Sequence, residues 1–207
     1  MARLPLPLVG LSVFLWGLTW SGLPLGAQSA PSSAAPTLIS PASQLDYSQL
    51  QQALIAQDFQ RANELTRLAL LEAANRQTQG WLSSEDFRRI PCPDLQIMDR
   101  LWRTHSQNRF GFSVQYEIFV KTGNRPGRLI SSDAYEKFGD QVGWRKNGQW
   151  TIFKQNLDYN LNAAPGHLPN ARDEYQINGG RLEYTALTER LQACQLTGAT
   201  PAPKPKK

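Results

Sequence analysis

The sequence contains few of the side chains that carry out chemistry. Histidine occurs twice and cysteine twice among 207 residues, and neither shows the spacing of a metal site. His105 follows a predicted helix, and His167 lies in a Gly-His-Leu-Pro turn. We predict that both interact with local backbone, and ligation of a cofactor metal is the alternative for His167. Neither a nucleophile elbow nor a phosphate-binding glycine loop occurs, so we predict a protein that is not an enzyme.

A clustered basic surface is also missing. The formal net charge is +5, but Arg3 and the tail lysines Lys204, Lys206 and Lys207 account for four of these charges. The body of the chain is therefore close to neutral. Nucleic-acid binding requires clustered cations that release counterions from phosphates, so we predict no nucleic-acid partner.

The N-terminus carries an uncharged apolar run. Arg3 precedes residues 4–25, and small residues follow at 26–30. This pattern is typical of a secretory signal, and the run is also long enough for a membrane anchor. We predict an exported or membrane-anchored protein, in the periplasm or the thylakoid lumen. The alternative is a cytoplasmic protein that associates with a membrane through residues 4–25.

The rest of the chain predicts one compact, all-α domain. Residues 31–43 are rich in Ser, Pro and Ala and predict a flexible linker, the domain spans 44–196, and residues 197–207 form a disordered basic tail. Helix signals recur through the domain. These are Asp46 and Asp58 as caps of an antiparallel pair, Ser83 with Asp86 at capping-box spacing, Pro93 before Met98 and Trp102, Asp133–Gly139, and Leu182–Leu191. The aromatic and β-branched residues of Phe112–Val120 could also form a strand, but the helical neighbours favour a helix.

Large aromatic side chains are concentrated between Pro91 and Pro169, and part of this stretch is irregular. The segment Gly143–Pro169 predicts a long loop, in which Trp144 and Trp150 either line a ligand site or anchor the loop. We expect a surface that holds a flat, apolar molecule without transforming it. Cys92 and Cys194 form one disulfide or remain two buried thiols, and the sequence leaves both open.

Four separated motifs, PCPDLQIMDRLW, RFGFSVQ, FGDQVGWR and GHLP, resemble the genomes-uncoupled-4 family. Its members are porphyrin-binding activators of magnesium chelatase in cyanobacteria and chloroplasts, and the resemblance covers roughly Tyr47 to Cys194. It implies a monomeric all-α domain shaped like a cupped hand. It also implies that protoporphyrin IX or magnesium-protoporphyrin IX binds in a groove between two loops and is delivered at the chelatase large subunit.

The resemblance implies a set of binding residues and no metal ligand. One side of the groove would comprise Trp81, Leu82, Phe87 and Ile90; the other would comprise Trp150, Phe153, Tyr159 and Leu161; Arg172 and Arg181 would contact the propionates. The chain departs from the family pattern at Tyr159, near which a Phe is expected, and at Ala164, where a Pro is expected. Its export-like N-terminus favours an alternative, namely an exported relative that acts as a structural or interaction module without a chelatase role.

Overall fold

The computed structural model describes residues 38–151, 154–171 and 180–198. In these residues the chain forms seven α-helices, one short β-hairpin and a 3-10 turn at Lys154–Asn156. The helices are α1 Ser48–Ile55, α2 Phe59–Ala73, α3 Ser84–Arg89, α4 Cys92–His105, α5 Phe112–Lys121, α6 Ser132–Gln141 and α7 Arg181–Ala193. The hairpin pairs β1 Arg145–Lys146 with β2 Gln149–Trp150 in antiparallel register. The all-α prediction is confirmed, and the aromatic stretch after Gly111 is helical as predicted.

Polar side chains begin several helices as the sequence predicted. Asp58 accepts a hydrogen bond from the Arg61 amide at the start of α2. At the start of α3, Ser83 and Asp86 form a reciprocal capping box. Each cap satisfies amide groups that a helix leaves without an internal partner. These short-range interactions explain why the starts of α2 and α3 could be predicted from local sequence. The predicted cap of α1 was wrong: its N-cap residue is Tyr47, and Asp46, one residue earlier, accepts a hydrogen bond from the Ser48 amide.

The buried core contains two aromatic groups. Trp102 of α4 stacks on Phe59 of α2, and its indole N–H donates to Thr66 Oγ1 at 2.9 Å. The second group lies between α5, α6 and α7, where rings pack edge to face and in tilted stacks. Its members are Phe119, Tyr135, Phe138, Trp144 and Tyr184. Many of the aromatic side chains between Pro91 and Pro169, which were expected to form a ligand surface, therefore belong to the buried core.

Residues 38–43, predicted as the end of a flexible linker, are held against the helical body. Ser40 is fully buried and donates to Asp94 Oδ2 at 2.8 Å, and the Ser43 hydroxyl donates to the same carboxylate. Tyr47 donates to Asp94 Oδ1 at 2.7 Å. Burial, together with the hydrogen bond to Asp94, raises the pKa of the Tyr47 hydroxyl, so Tyr47 stays a neutral donor. Because a buried carboxylate requires hydrogen-bond donors, Asp94 holds Ser40, Ser43 and Tyr47 in place.

The helices α3 and α7 pack against each other. Arg88 Nε lies 2.7 Å from Glu189 Oε2, and Arg190 Nε donates to the Ile90 carbonyl at 2.7 Å. Beyond the end of α3, Cys92 and Cys194 form a disulfide with a Cα–Cα distance of 5.1 Å. The partner numbers rise together along both segments, so the N-terminal ends of α3 and α7 lie at the same end of the pair. The disulfide joins the C-terminal end of this helix pair. Of the two alternatives for the cysteines, a disulfide or two buried thiols, the structure therefore shows the disulfide.

Within the described ranges, none of the helices is both long enough and apolar enough to cross a membrane. The predicted signal or anchor at residues 4–25 and the predicted basic tail from residue 199 onward lie outside those ranges.

Candidate ligand-binding site

Two large apolar side chains are exposed where α3 and α7 begin. Trp81 lies three residues before α3 and is 52% exposed, and Leu182 in the first turn of α7 is 51% exposed. Arg181, the first residue of α7 and the neighbour of Leu182 in the chain, is half-buried. We call these three residues the open end. Water contact by a Trp and a Leu at one end of a helix pair is typical of a ligand-binding or docking surface.

The segment that carries Trp81 is held in place by a buried carboxylate. Asp86 accepts hydrogen bonds from the Ser83 amide at 2.9 Å and the Ser83 hydroxyl at 2.7 Å, and Arg76 Nε lies 2.9 Å from it. Burial acts to raise the pKa of Asp86, but the bonds from Ser83 and the Arg76 guanidinium outweigh burial and lower it. Asp86 is therefore ionised at neutral pH and ties both sides of the α2–α3 loop to the first turn of α3.

The other residues predicted on this side of the groove lie in the core. Leu82, Phe87 and Ile90 are all buried. They belong to the buried core, so in this conformation only Trp81 of the four is exposed. A ligand contact by the buried three requires movement of α3, and their binding role stays a prediction.

The predicted second side of the groove is more accessible. Trp150 on β2 is half-buried, and its ring stacks on Tyr135 with centroids 5.1 Å apart. A Cβ atom added to Gly139 would clash with the Trp150 ring, so only glycine permits the approach. Tyr159 and Leu161 are also half-buried, and the Tyr159 hydroxyl donates to the Lys154 carbonyl at 2.9 Å. Phe153 and Arg172, the remaining predicted residues, lie outside the described residues.

Trp144, only six residues before Trp150, anchors its loop. It is fully buried, and its indole N–H donates to the His167 carbonyl at 2.7 Å. The alternative that it lines a ligand site is therefore ruled out for this conformation, whereas the half-buried Trp150 keeps that alternative.

The GHLP motif forms a buried turn whose backbone groups are bound by core side chains. Gln115 Nε2 donates to the carbonyls of Gly166 and Pro169, and its Oε1 accepts from the Tyr184 hydroxyl at 2.9 Å. The amide of Asn170 donates to the buried Asn63 at 2.7 Å. Buried backbone polar groups need such partners, so the motif serves folding.

His167 is buried and uses both ring nitrogens within the protein. Nδ1 lies 2.7 Å from the Val142 carbonyl, and Nε2 lies 3.0 Å from the Asp158 amide. Since the carbonyl can only accept and the amide can only donate, the imidazole is neutral with its proton on Nδ1. The prediction of a turn histidine bonded to backbone is confirmed, and metal ligation is not open to it here. In the described ranges, no group of three or more His, Cys, Asp or Glu side chains is arranged to hold a metal ion.

Comparison with known proteins agrees with this architecture. The model of the GUN4-like family matches residues 40–189, which is most of the chain. The chain belongs to the GUN4-like family. Two solved GUN4 structures share its fold. A ligand-free GUN4 from Arabidopsis thaliana has a TM-score of 0.54 and 28% identity, and covers 68% of this chain and 93% of that one. The Chlamydomonas reinhardtii GUN4 has a TM-score of 0.58 and 29% identity, and covers 74% of this chain and 93% of that one.

Curated relatives of this GUN4-like chain are longer. A Ycf53-like protein of Synechocystis is 34% identical over 127 residues, which are 60% of this chain and 51% of that protein. A chloroplastic tetrapyrrole-binding protein of Arabidopsis thaliana is 29% identical over 150 residues, which are 71% of this chain and 50% of that protein. The chain thus spans about half the length of the curated relatives it matches.

Leu182 is the residue of the open end that sequence reasoning missed. It begins the predicted helix Leu182–Leu191, in which a leucine most simply predicts core. The sequence predicts an amphipathic helix here, and the structure places Leu182 on its exposed side while Leu187 and Leu191 are buried.

Proposed function

We propose that this chain binds protoporphyrin IX or magnesium-protoporphyrin IX at the open end, and that it is a binding protein rather than a catalyst. The observation that carries the proposal is the exposure of Trp81 and Leu182 beside Arg181, in a chain whose family includes a chloroplast tetrapyrrole-binding protein. A porphyrin has two apolar faces and a propionate edge. Apolar burial contributes roughly 25 cal/mol per Å², and an arginine can hold a carboxylate through paired N–H donors.

The first test is a titration of the full chain with magnesium-protoporphyrin IX, following the Soret band and quenching of tryptophan fluorescence. We expect a saturable shift at micromolar concentration or below. Absence of a shift would contradict the proposal and leave a protein that has the family fold without this ligand.

Matched leucine variants locate the ligand. Leu182→Ala at the open end is expected to weaken binding several-fold, because it removes apolar contact area. Leu68→Ala removes an equally exposed leucine from α2 and is expected to leave affinity unchanged. Equal affinity of the two variants would place the ligand elsewhere. Trp150→Ala tests the second side of the groove and is expected to weaken binding with little loss of helix content.

For the role of the bound tetrapyrrole, the family resemblance supports delivery at the large subunit of magnesium chelatase and regulation of chlorophyll biosynthesis. The test is stimulation of chelatase activity by the full chain, with Leu182→Ala as the binding-deficient comparison. Stimulation that depends on Leu182 would support this role, and no stimulation would remove it.

A second candidate is an exported tetrapyrrole-binding relative without a chelatase role. The Cys92–Cys194 disulfide supports it, because such bonds persist in oxidising compartments such as the periplasm. The apolar run at residues 4–25 supports it from the sequence. Fractionation of cells together with thiol labelling tests it: an exported, unlabelled chain is expected, whereas a cytoplasmic chain with two reactive thiols would contradict it.

A further inference from the structure

A tight turn between α5 and α6 presents two arginines. Arg125 and Arg128 are paired by an antiparallel bridge, and the Arg128 amide donates to the Arg125 carbonyl at 3.1 Å. Pro126 and Gly127 occupy the two central positions, and Gly127 has φ of 69°. Proline followed by a residue with positive φ is the pattern of a type II turn. We call residues 125–128 the arginine turn.

The arginine turn is fixed to the helices around it. The Gly127 amide donates to the Thr185 carbonyl of α7 at 3.1 Å. Just before the turn, the buried Asn124 donates through Nδ2 to the Ala134 carbonyl of α6 at 2.7 Å. These bonds on both sides mean that the two arginines project from a preformed backbone.

Neither guanidinium group forms an ion pair with a described residue. Bridge partners lie directly opposite each other, so their side chains project from one face, where like charges repel. Both side chains are exposed, and neither makes a hydrogen bond or ion pair with another described residue. The carboxylate of Glu189 lies against Gly127 but is bonded to Arg88. Residues 118–132 contain Lys121 and no Asp or Glu, so the local sequence supplies no anion.

A cleft opens beside this pair of charges. Its volume is about 340 Å³, and its lining consists of Gly123, Arg125, Arg128, Leu129 and Ile130. Leu129 is 53% exposed and Ile130 is 48% exposed. The cleft therefore combines two cations with two uncovered aliphatic side chains.

We propose that this cleft binds a carboxylate that is carried on an apolar body. The arginines would hold the carboxylate through charge-assisted hydrogen bonds, and Leu129 and Ile130 would cover the attached carbon chain or ring. An anion between the arginines also removes the repulsion of two like charges on one bridge. The site rests on observations separate from those behind the open end.

The test is an NMR titration of the full chain with octanoate, following the amides of Gly123 and Gly127. Arg125→Ala/Arg128→Ala is expected to bind octanoate at least about tenfold more weakly than the wild type. Arg61→Ala/Lys137→Ala removes two exposed cations of α2 and α6 and is expected to bind normally. The spectra report folding of each variant. Equal weakening in both double variants would mean general charge attraction and would overturn the proposal, as would no shift of the two amides in the wild type.

The apolar half of the site is tested with acetate and with Leu129→Ser/Ile130→Ser. Octanoate is expected to bind the wild type more tightly than acetate does, and the serine variant is expected to abolish this advantage while binding acetate normally. Equal affinity of the wild type for acetate and octanoate would overturn the amphiphile assignment.

Two sources of the carboxylate are distinguished by competition. If saturating magnesium-protoporphyrin IX displaces octanoate from the arginine turn, the tetrapyrrole's own propionates supply the carboxylate. If both ligands bind at once, the site takes a separate carboxylate amphiphile. The octanoate result stands in either case, including one in which the porphyrin does not bind at all.

Discussion

The two ends of the α3–α7 pair differ in how they are held. At one end, Cys92 and Cys194 are covalently joined, and Gln96 Nε2 donates to the Cys194 carbonyl at 3.1 Å. At the other end, Trp81 and Leu182 expose about half of their surface. The disulfide end fixes the relative position of the two helices, whereas the open end, where we propose that the ligand binds, leaves its apolar side chains exposed.

A similar contrast separates the aromatic side chains. Trp144 and Trp102 are fully buried and their indole N–H groups have protein partners, whereas Trp81 is half-exposed. The residue type is the same, and its surroundings decide whether the side chain lies in the core or stays exposed. The predictions below test this division, beginning with the largest effect.

Removing the Cys92–Cys194 disulfide is expected to lower the stability of the protein more than any other change considered below. The disulfide closes a loop with a sequence separation of 102 residues, so Cys92→Ser/Cys194→Ser is expected to lower the free energy of unfolding by about 2–4 kcal/mol. Urea unfolding measures the change, and reduction of the wild type should reproduce it. Hydrogen exchange should increase more in the C-terminal half of α7 than in its first turn. An equal increase in the hydrogen-exchange rate along all of α7 would contradict the view that the disulfide holds only one end of the helix.

Gln115 tests whether the N-terminal half of α7 is held from the core. Gln115→Ala leaves the carbonyls of Gly166 and Pro169 and the hydroxyl of Tyr184 without these partners. We expect a loss of about 3 kcal/mol in the free energy of unfolding. Gln52→Ala, at an exposed position of α1, is the control and should change it by less than about 0.5 kcal/mol. Similar losses in both variants would show that the Gln115 bonds contribute little.

Trp81→Ala is expected to separate binding from folding. Because half of the side chain already contacts water, we expect a stability change within about 0.5–1 kcal/mol. The affinity for magnesium-protoporphyrin IX should fall about tenfold, measured by the Soret titration. A large stability loss with unchanged affinity would assign Trp81 to the core instead.

The smallest expected effect is a pH dependence at Asp86. Because the pKa of Asp86 is lowered in the folded state, its stabilising effect is present above the ordinary carboxyl range and is lost as the pH falls through the folded pKa. The stability difference between the wild type and Asp86→Asn should therefore be constant above about pH 5 and shrink below about pH 4. Urea unfolding across this range measures it, with the exposed Asp133→Asn as control. A difference that does not change with pH would contradict the role of the ionised carboxylate.

Local sequence was enough to predict the helix content and several helix starts, because caps such as Asp58 and the Ser83–Asp86 box act over three residues. The motifs of residues 91–169 also determined the family resemblance, which the comparison confirmed. Which aromatic side chains lie in the core could not be predicted from local sequence, since the indole N–H of the buried Trp144 donates to the carbonyl of His167, 23 residues away. Tertiary structure also decided the disulfide and the position of Leu182, because both depend on how α7 packs against α3. Local sequence specifies local hydrogen bonds, whereas exposure is set by which distant segments cover a side chain.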